Sequence, residues 1–259
     1  MQVRNPRRFA AAVLFSLTGF SAMAADTNAD KRWQENYEAR QSYFEANLGP
    51  FPQDILKMLN MSGVWPGGGL FVIPADRLGK RLSVYTTFGL TNPDMPTTVQ
   101  MTDFKLGADG KHATQAEGAL KKRVPAKTRP GAAGYGYEIF LVAQSDQQWP
   151  LGLLQWIVNA EIGKDVGLLG RVEKYDGLTI DKVDVGPGGP VNVLIAKAKA
   201  PLPTGAQLPG GKMELLVATT ITDEEMQWAM NNGRGALLQK LQDAGVGQIS
   251  TPGRSSIVR

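Results

Sequence analysis

Cysteine is absent from the 259 residues. The chain therefore has no disulfide, no thiolate metal site, no cysteine nucleophile and no lipid-modified cysteine behind an export leader. Histidine is nearly absent. The single one, His112, follows the loop-like run Gly107-Ala108-Asp109-Gly110-Lys111 and reads as a surface residue. Nothing near it supplies a G-x-S-x-G elbow, which argues against a histidine-based hydrolytic triad, and one histidine is too few for a closed zinc site. Phosphate-binding patterns are missing too. The run Gly67-Gly68-Gly69 has no lysine and no helix start behind it, Gly210-Gly211-Lys212-Met213 lacks the P-loop spacing, and no G-x-G-x-x-G follows a strand. Asp176, Asp181 and Asp184 do not fit a calcium loop, and strand alternation sends Asp181 and Asp184 to opposite faces. No catalytic residue, metal ligand or cofactor is assigned. A carboxylate-dependent hydrolase of cell-envelope material stands as the alternative, because its paired acids would come from distant segments.

Long apolar runs are also lacking. The longest, Phe9 to Phe20, falls short of the roughly 20 residues that span a bilayer. Arg4, Arg7 and Arg8 precede it, and Ser21-Ala22-Met23-Ala24 follows as a small-residue cleavage site, so residues 1–24 read as a signal peptide cut after Ala24. Arg7-Arg8 matches the twin-arginine pattern only loosely, with Phe9 directly behind the pair, and the general export route fits better. The leader carries three arginines and no acid, so its removal lowers the formal charge from +4 by three, to +1. The basic balance belongs mainly to the leader, and neither nucleic acid nor an acidic membrane is implied as a partner. The expected product is a periplasmic or secreted protein with no stable membrane anchor.

What is present is an ordinary globular composition, 42% hydrophobic, enough for a substantial core. Trp33, Tyr37, Phe44 and Leu48 lie at intervals of four, seven and four, placing them on one face of a helix over residues 30–48 that Gly49-Pro50 ends. Residues 54–61 read as a helical turn and 65–69 as a loop. Strands are expected at 70–74, 82–90 and 97–106. The middle one is the most pronounced: Val84, Tyr85, Thr86, Thr87 and Phe88 suit a buried strand, Gly89 frees the backbone, and Asn92-Pro93 with Met95-Pro96 stiffens the turn after it. Residues 107–134 read as a polar loop with the basic cluster Lys121, Lys122, Arg123, Lys127 and Arg129.

Residues 135–144 return to strand character. Trp149-Pro150 opens a helix with Leu151, Leu154, Val158 and Ile162 on its apolar face. Strands follow at 179–185, 191–197 and 213–220. Thr222 and Glu225 form a capping box for a helix carrying Met226 and Met230, interrupted near Gly233 and resuming through Leu237, Leu238 and Leu241 to Gly245. The irregular mixture of strands and helices gives an α+β class, a mixed sheet with flanking helices, and no internal repeat. Three parts result: the leader 1–24, a helical segment 25–48 and a domain 49–259.

Several segments, in order, resemble the suppressor of fused-like family: Val84 to Thr91, Gly134-Tyr135-Gly136-Tyr137-Glu138, Gln148-Trp149-Pro150, Ile221 to Met226, Gly235 to Leu238 and Gly247 to Ser256. The resemblance implies a mixed α+β domain that binds a protein partner rather than performing catalysis. It implies a short peptide held as an added β-strand, with backbone bonds giving affinity and side-chain pockets giving selectivity. Carried onto this chain, Tyr85, Phe88, Gly89 and Asp94 lie near such a groove, with Tyr137 and Glu138 on a neighbouring strand. The implied activity is exported protein or peptide binding, in an immunity-like or envelope regulatory role.

Overall fold

The computed structural model describes residues 27–52, 59–60, 63–64, 68–93, 97–106, 113–122, 129–186 and 189–258. A long helix α1 (Thr27–Asn47) leads into two strand pieces, β1 (Leu59–Asn60) and β2 (Gly63–Val64). Then come β3 (Gly69–Pro74), β4 (Leu82–Phe88), β5 (Thr97–Leu106), β6 (Ala113–Lys122) and β7 (Ala132–Gln144). The second half contains α2 (Trp149–Lys164), α3 (Leu168–Tyr175), β8 (Leu178–Asp184), β9 (Pro190–Lys197), β10 (Gly205–Leu208), β11 (Gly211–Ile221), α4 (Asp223–Asn232) and α5 (Arg234–Asp243). The α+β class holds: a mixed sheet with helices on its faces.

The main sheet runs β3-β4-β7-β11-β9-β8, with β10 paired to β11, and a separate sheet runs β1-β2-β5-β6. Among the described strands β7 and β11 pair in parallel and the other pairs are antiparallel. β4 is paired on both sides, Val72 facing Tyr85 across one ladder and Leu141 facing it across the other. All seven of its residues are buried, as the β-branched and aromatic run requires.

Side-chain alternation along β7 divides the core. Tyr137, Ile139, Leu141 and Ala143 join Leu153, Leu154 and Val158 of α2 on one face. Phe140 and Val142 join Phe44 of α1 and Leu48 just behind it on the other. A third cluster places Leu194 and Ala196 of β9 under Leu237 and Leu241 of α5. Helix α1, part of the segment 25–48 set apart in the sequence, thus covers one face of the sheet.

The capping box at Thr222 and Glu225 forms with both its bonds, and Gly233 separates α4 from α5. The loop expected at 107–134 is different. Its part Ala113–Lys122 is strand β6, held to β5 by a long antiparallel ladder that supplies what the polar, glycine-containing sequence does not. Residues 107–112, with His112, and 123–128 lie outside the described residues. In the turn expected at 54–61, Leu59–Asn60 is strand and residues 53–58 lie outside the described residues. Among the described residues, no helix is long and apolar enough to cross a membrane.

Candidate functional site

The turn that leaves β4 is built around one carboxylate. Gly89, at φ +126, bends the chain where few other residues would do so without strain, and the amide of Asn92 closes the turn onto the Gly89 carbonyl at 3.1 Å. The amides of Gly89 and Thr91 then point at Glu138 of β7, donating to its Oε1 at 2.8 and 3.0 Å. Thr91 Oγ1 donates to the same oxygen at 2.7 Å, and Thr87 Oγ1 donates to Oε2 at 2.7 Å. Glu138 has no exposed surface. Four donors from one short stretch of chain make a buried anion tolerable.

The cation that faces it comes from α1. Arg40, also fully buried, donates from Nη1 to Thr91 Oγ1 at 2.9 Å and to Glu138 Oε1 at 3.3 Å. Its guanidinium lies 3.8 Å from the centre of the Phe88 ring, a cation–π contact. Burial lowers its pKa to about 10, against the opposing attraction of Glu138 and the smaller one of Tyr37. The Nε and Nη2 atoms of Arg40 have no hydrogen-bond partner among the described residues. Two further bonds seat the helix: Asn36 donates to the Thr91 carbonyl at 2.8 Å and accepts from the Gly210 amide at 3.0 Å. The Gly205 amide donates to Tyr43 Oη at 3.0 Å.

Of the six residues expected at a binding groove, Phe88, Gly89 and Glu138 come together beneath α1. Tyr85 and Tyr137 lie on the opposite face of the sheet, in the core under α2 and α3. Tyr85 is anchored, donating to the Gln144 carbonyl at 2.9 Å and accepting from the Gln147 amide at 3.0 Å. Tyr137 donates to Glu161 Oε2 at 2.8 Å, and burial, reinforced by Glu161, raises its pKa well above 10. Tyr85, Phe88, Tyr137 and Glu138 are all buried, so with α1 in place none offers a surface to a partner. Asp94 lies outside the described residues. The sequence reading missed Arg40. It occupies the α1 stripe between Tyr37 and Phe44, and a cation at that interval was the available signal.

The acids also have limited reach. Glu138 and Glu161 are buried and bonded on both oxygens. Asp181 and Asp184 are exposed on β8, and among the described residues no group of three or more His, Asp or Glu gathers as a metal site would require.

Comparison with protein-family models matches residues 54–255 to the Suppressor of fused protein family. The structure of the Sufu-Fu complex has a similar fold, with TM-score 0.54 and 16% identity over 86% of this chain and 92% of that one. The structure of Drosophila Suppressor of Fused is similar with TM-score 0.51 and 16% identity, over 87% of this chain but only 51% of the fly protein. No curated protein matches the chain. With a family match over residues 54–255, most of its length, this chain belongs to the Suppressor of fused protein family.

Proposed function

We propose that the chain is an exported, non-enzymatic domain that binds a protein or peptide in the cell envelope, in an immunity-like or regulatory role. Family membership fits non-enzymatic protein binding, and the similar Sufu-Fu structure is itself a complex with a protein partner. One observation carries the reading further. The Glu138 turn grips Arg40, a residue of a helix outside the family-matched residues 54–255. The family domain therefore offers a cleft with a carboxylate, hydroxyls and an aromatic ring, and a separate segment fills it. An arginine beside aromatic residues is what that cleft accommodates; Phe88, Gly89, Asp94 and Glu138 are its proposed contact region, the buried Phe88 and Glu138 being reached by a partner only in place of α1. Tyr85 and Tyr137 support the strands behind it.

Capture from envelope extract with the full chain, compared with Asp94→Ala and Asp94→Arg, tests the reading. One protein should be enriched by the parent chain and lost with both variants at unchanged thermal stability. Failure to enrich any protein, or a partner indifferent to both changes, would overturn the proposed site. Mass spectrometry of the periplasmic fraction should find a chain beginning at Ala25. A chain retained in the cytoplasm with Met1 intact would refute export.

A further inference from the structure

On the face of the sheet opposite α1, a cavity of about 490 Å³ opens between β7, the end of α2 and the start of α3. Its floor is closed. Glu161 accepts from Tyr137 Oη at 2.8 Å, from the Gly167 amide at 3.0 Å and from the Leu168 amide at 2.8 Å, so this buried acid is committed to the protein. The walls are mainly apolar, from Tyr135, Val166, Leu168, Leu169 and the half-exposed Tyr175. Cations stand around it: Arg129, Arg171 and Lys174 against the acids Glu161 and Asp165, an excess of one positive charge among the described lining residues.

The cations are not equally occupied. Arg129 pairs with Glu173, which holds that carboxyl below the usual range. Arg171 donates from Nε to the Val166 carbonyl at 2.7 Å, and Lys174 lies 5.1 Å from the Tyr175 ring centre. Neither meets a carboxylate among the described residues. Gly167 and Gly170 leave the entrance open, since a side chain added at either would meet nothing within 4 Å. An apolar pocket of drug-ligand size, with cations at its mouth that meet no carboxylate among the described residues and its inner acid already satisfied, has the pattern of a small-ligand site.

The geometry points to this cavity as a binding site for a small amphipathic carboxylate, its apolar body against Leu168, Leu169 and the tyrosines and its head between Arg171 and Lys174. The site lies on the other face of the sheet from the Arg40 cleft and does not depend on the protein-binding reading. Both cations are exposed, so replacing them leaves the fold intact, and the attraction is weakened by salt.

Calorimetric titration of the full mature chain tests the assignment, with decanoate, decan-1-ol and acetate as probes. Decanoate should bind saturably at one site per chain, decan-1-ol at least about fivefold more weakly, and acetate without measurable heat. Arg171→Gln with Lys174→Gln should weaken decanoate about fivefold or more, as expected for two exposed charge contacts. Gly170→Trp, which fills the open entrance, should abolish binding while the circular dichroism spectrum is unchanged. The assignment is overturned if decanoate does not saturate, if decan-1-ol binds as tightly, or if either variant leaves the affinity unchanged.

Discussion

Replacing the two members of the buried pair should have unequal effects. In Glu138→Gln the shape is kept and the charge removed, so Arg40, whose pKa burial already lowers to about 10 against the support of Glu138, loses its counter-charge while still buried. Breaking a buried pair in this way costs about 3–5 kcal/mol. The new amide keeps one oxygen for the Gly89 and Thr91 amides and turns its NH2 to Thr87 Oγ1, whose bond to the carboxylate is lost. Arg40→Met is different. It removes one long contact at 3.3 Å and one good bond at 2.9 Å, but also two buried nitrogens that have no partner among the described residues. Each such unsatisfied donor costs about 1–3 kcal/mol, so the terms largely cancel and the expected change is about 1 kcal/mol or less. Glu138 keeps its four other donors. The double variant should therefore be more stable than Glu138→Gln alone by about 2 kcal/mol or more. Urea unfolding followed by the fluorescence of the five tryptophans measures all three. If Arg40→Met costs as much as Glu138→Gln, or the double variant is the least stable, the description of this pair is wrong.

Other variants probe the rest of the framework. Gly134→Ala should cost more than about 1 kcal/mol in the same assay: Gly134 has φ +53, and an added Cβ would press on the carbonyl of Leu90 and sit 2.7 Å from that of Asn92. Tyr137→Phe removes a hydrogen bond to the Glu161 carboxylate and should cost about 1.5–3 kcal/mol, with Glu161 still held by two amides. Burial opposes ionisation of Glu225, but the bonds from Arg254 and from the Ile257 and Thr222 amides outweigh it and lower the pKa below 4.5. That stability is present above about pH 4.5 and is lost as the pH falls through the lowered folded-state value, so Glu225→Gln should flatten the acid side of the stability profile below about pH 4.5. An acid limb as steep as the parent's would exclude this role for Glu225.

The sequence made the apolar framework legible and left its polar centre hidden. The β-branched run of β4 and the interval of Trp33, Tyr37, Phe44 and Leu48 announced a buried strand and an amphipathic helix, because those patterns reflect which face meets the core. Arg40 lies on that same helical face, but a hydrophobic stripe is read by skipping its charges. Glu138 was named through family resemblance, while its donors came from Thr87 to Thr91, some fifty positions away, a proximity that only the pairing of β4 with β7 creates. Adjacent positions 137 and 138 were expected to serve one groove, yet strand alternation sends Tyr137 to the α2 face and Glu138 to the α1 face. Helix α3 escaped notice because it is short and carries Gly170 within it and Gly167 before it. β6 did so because its residues are held by ladder bonds to β5 rather than by strand preference.

Site-specific crosslinking tests the protein-binding claim most directly. A photoreactive residue placed at position 94 of the full chain in living cells should give one adduct with a single envelope protein, while the same group at the exposed Trp156 on α2 should not. No adduct from position 94, or the same adduct from both positions, would contradict a binding cleft at the Glu138 turn.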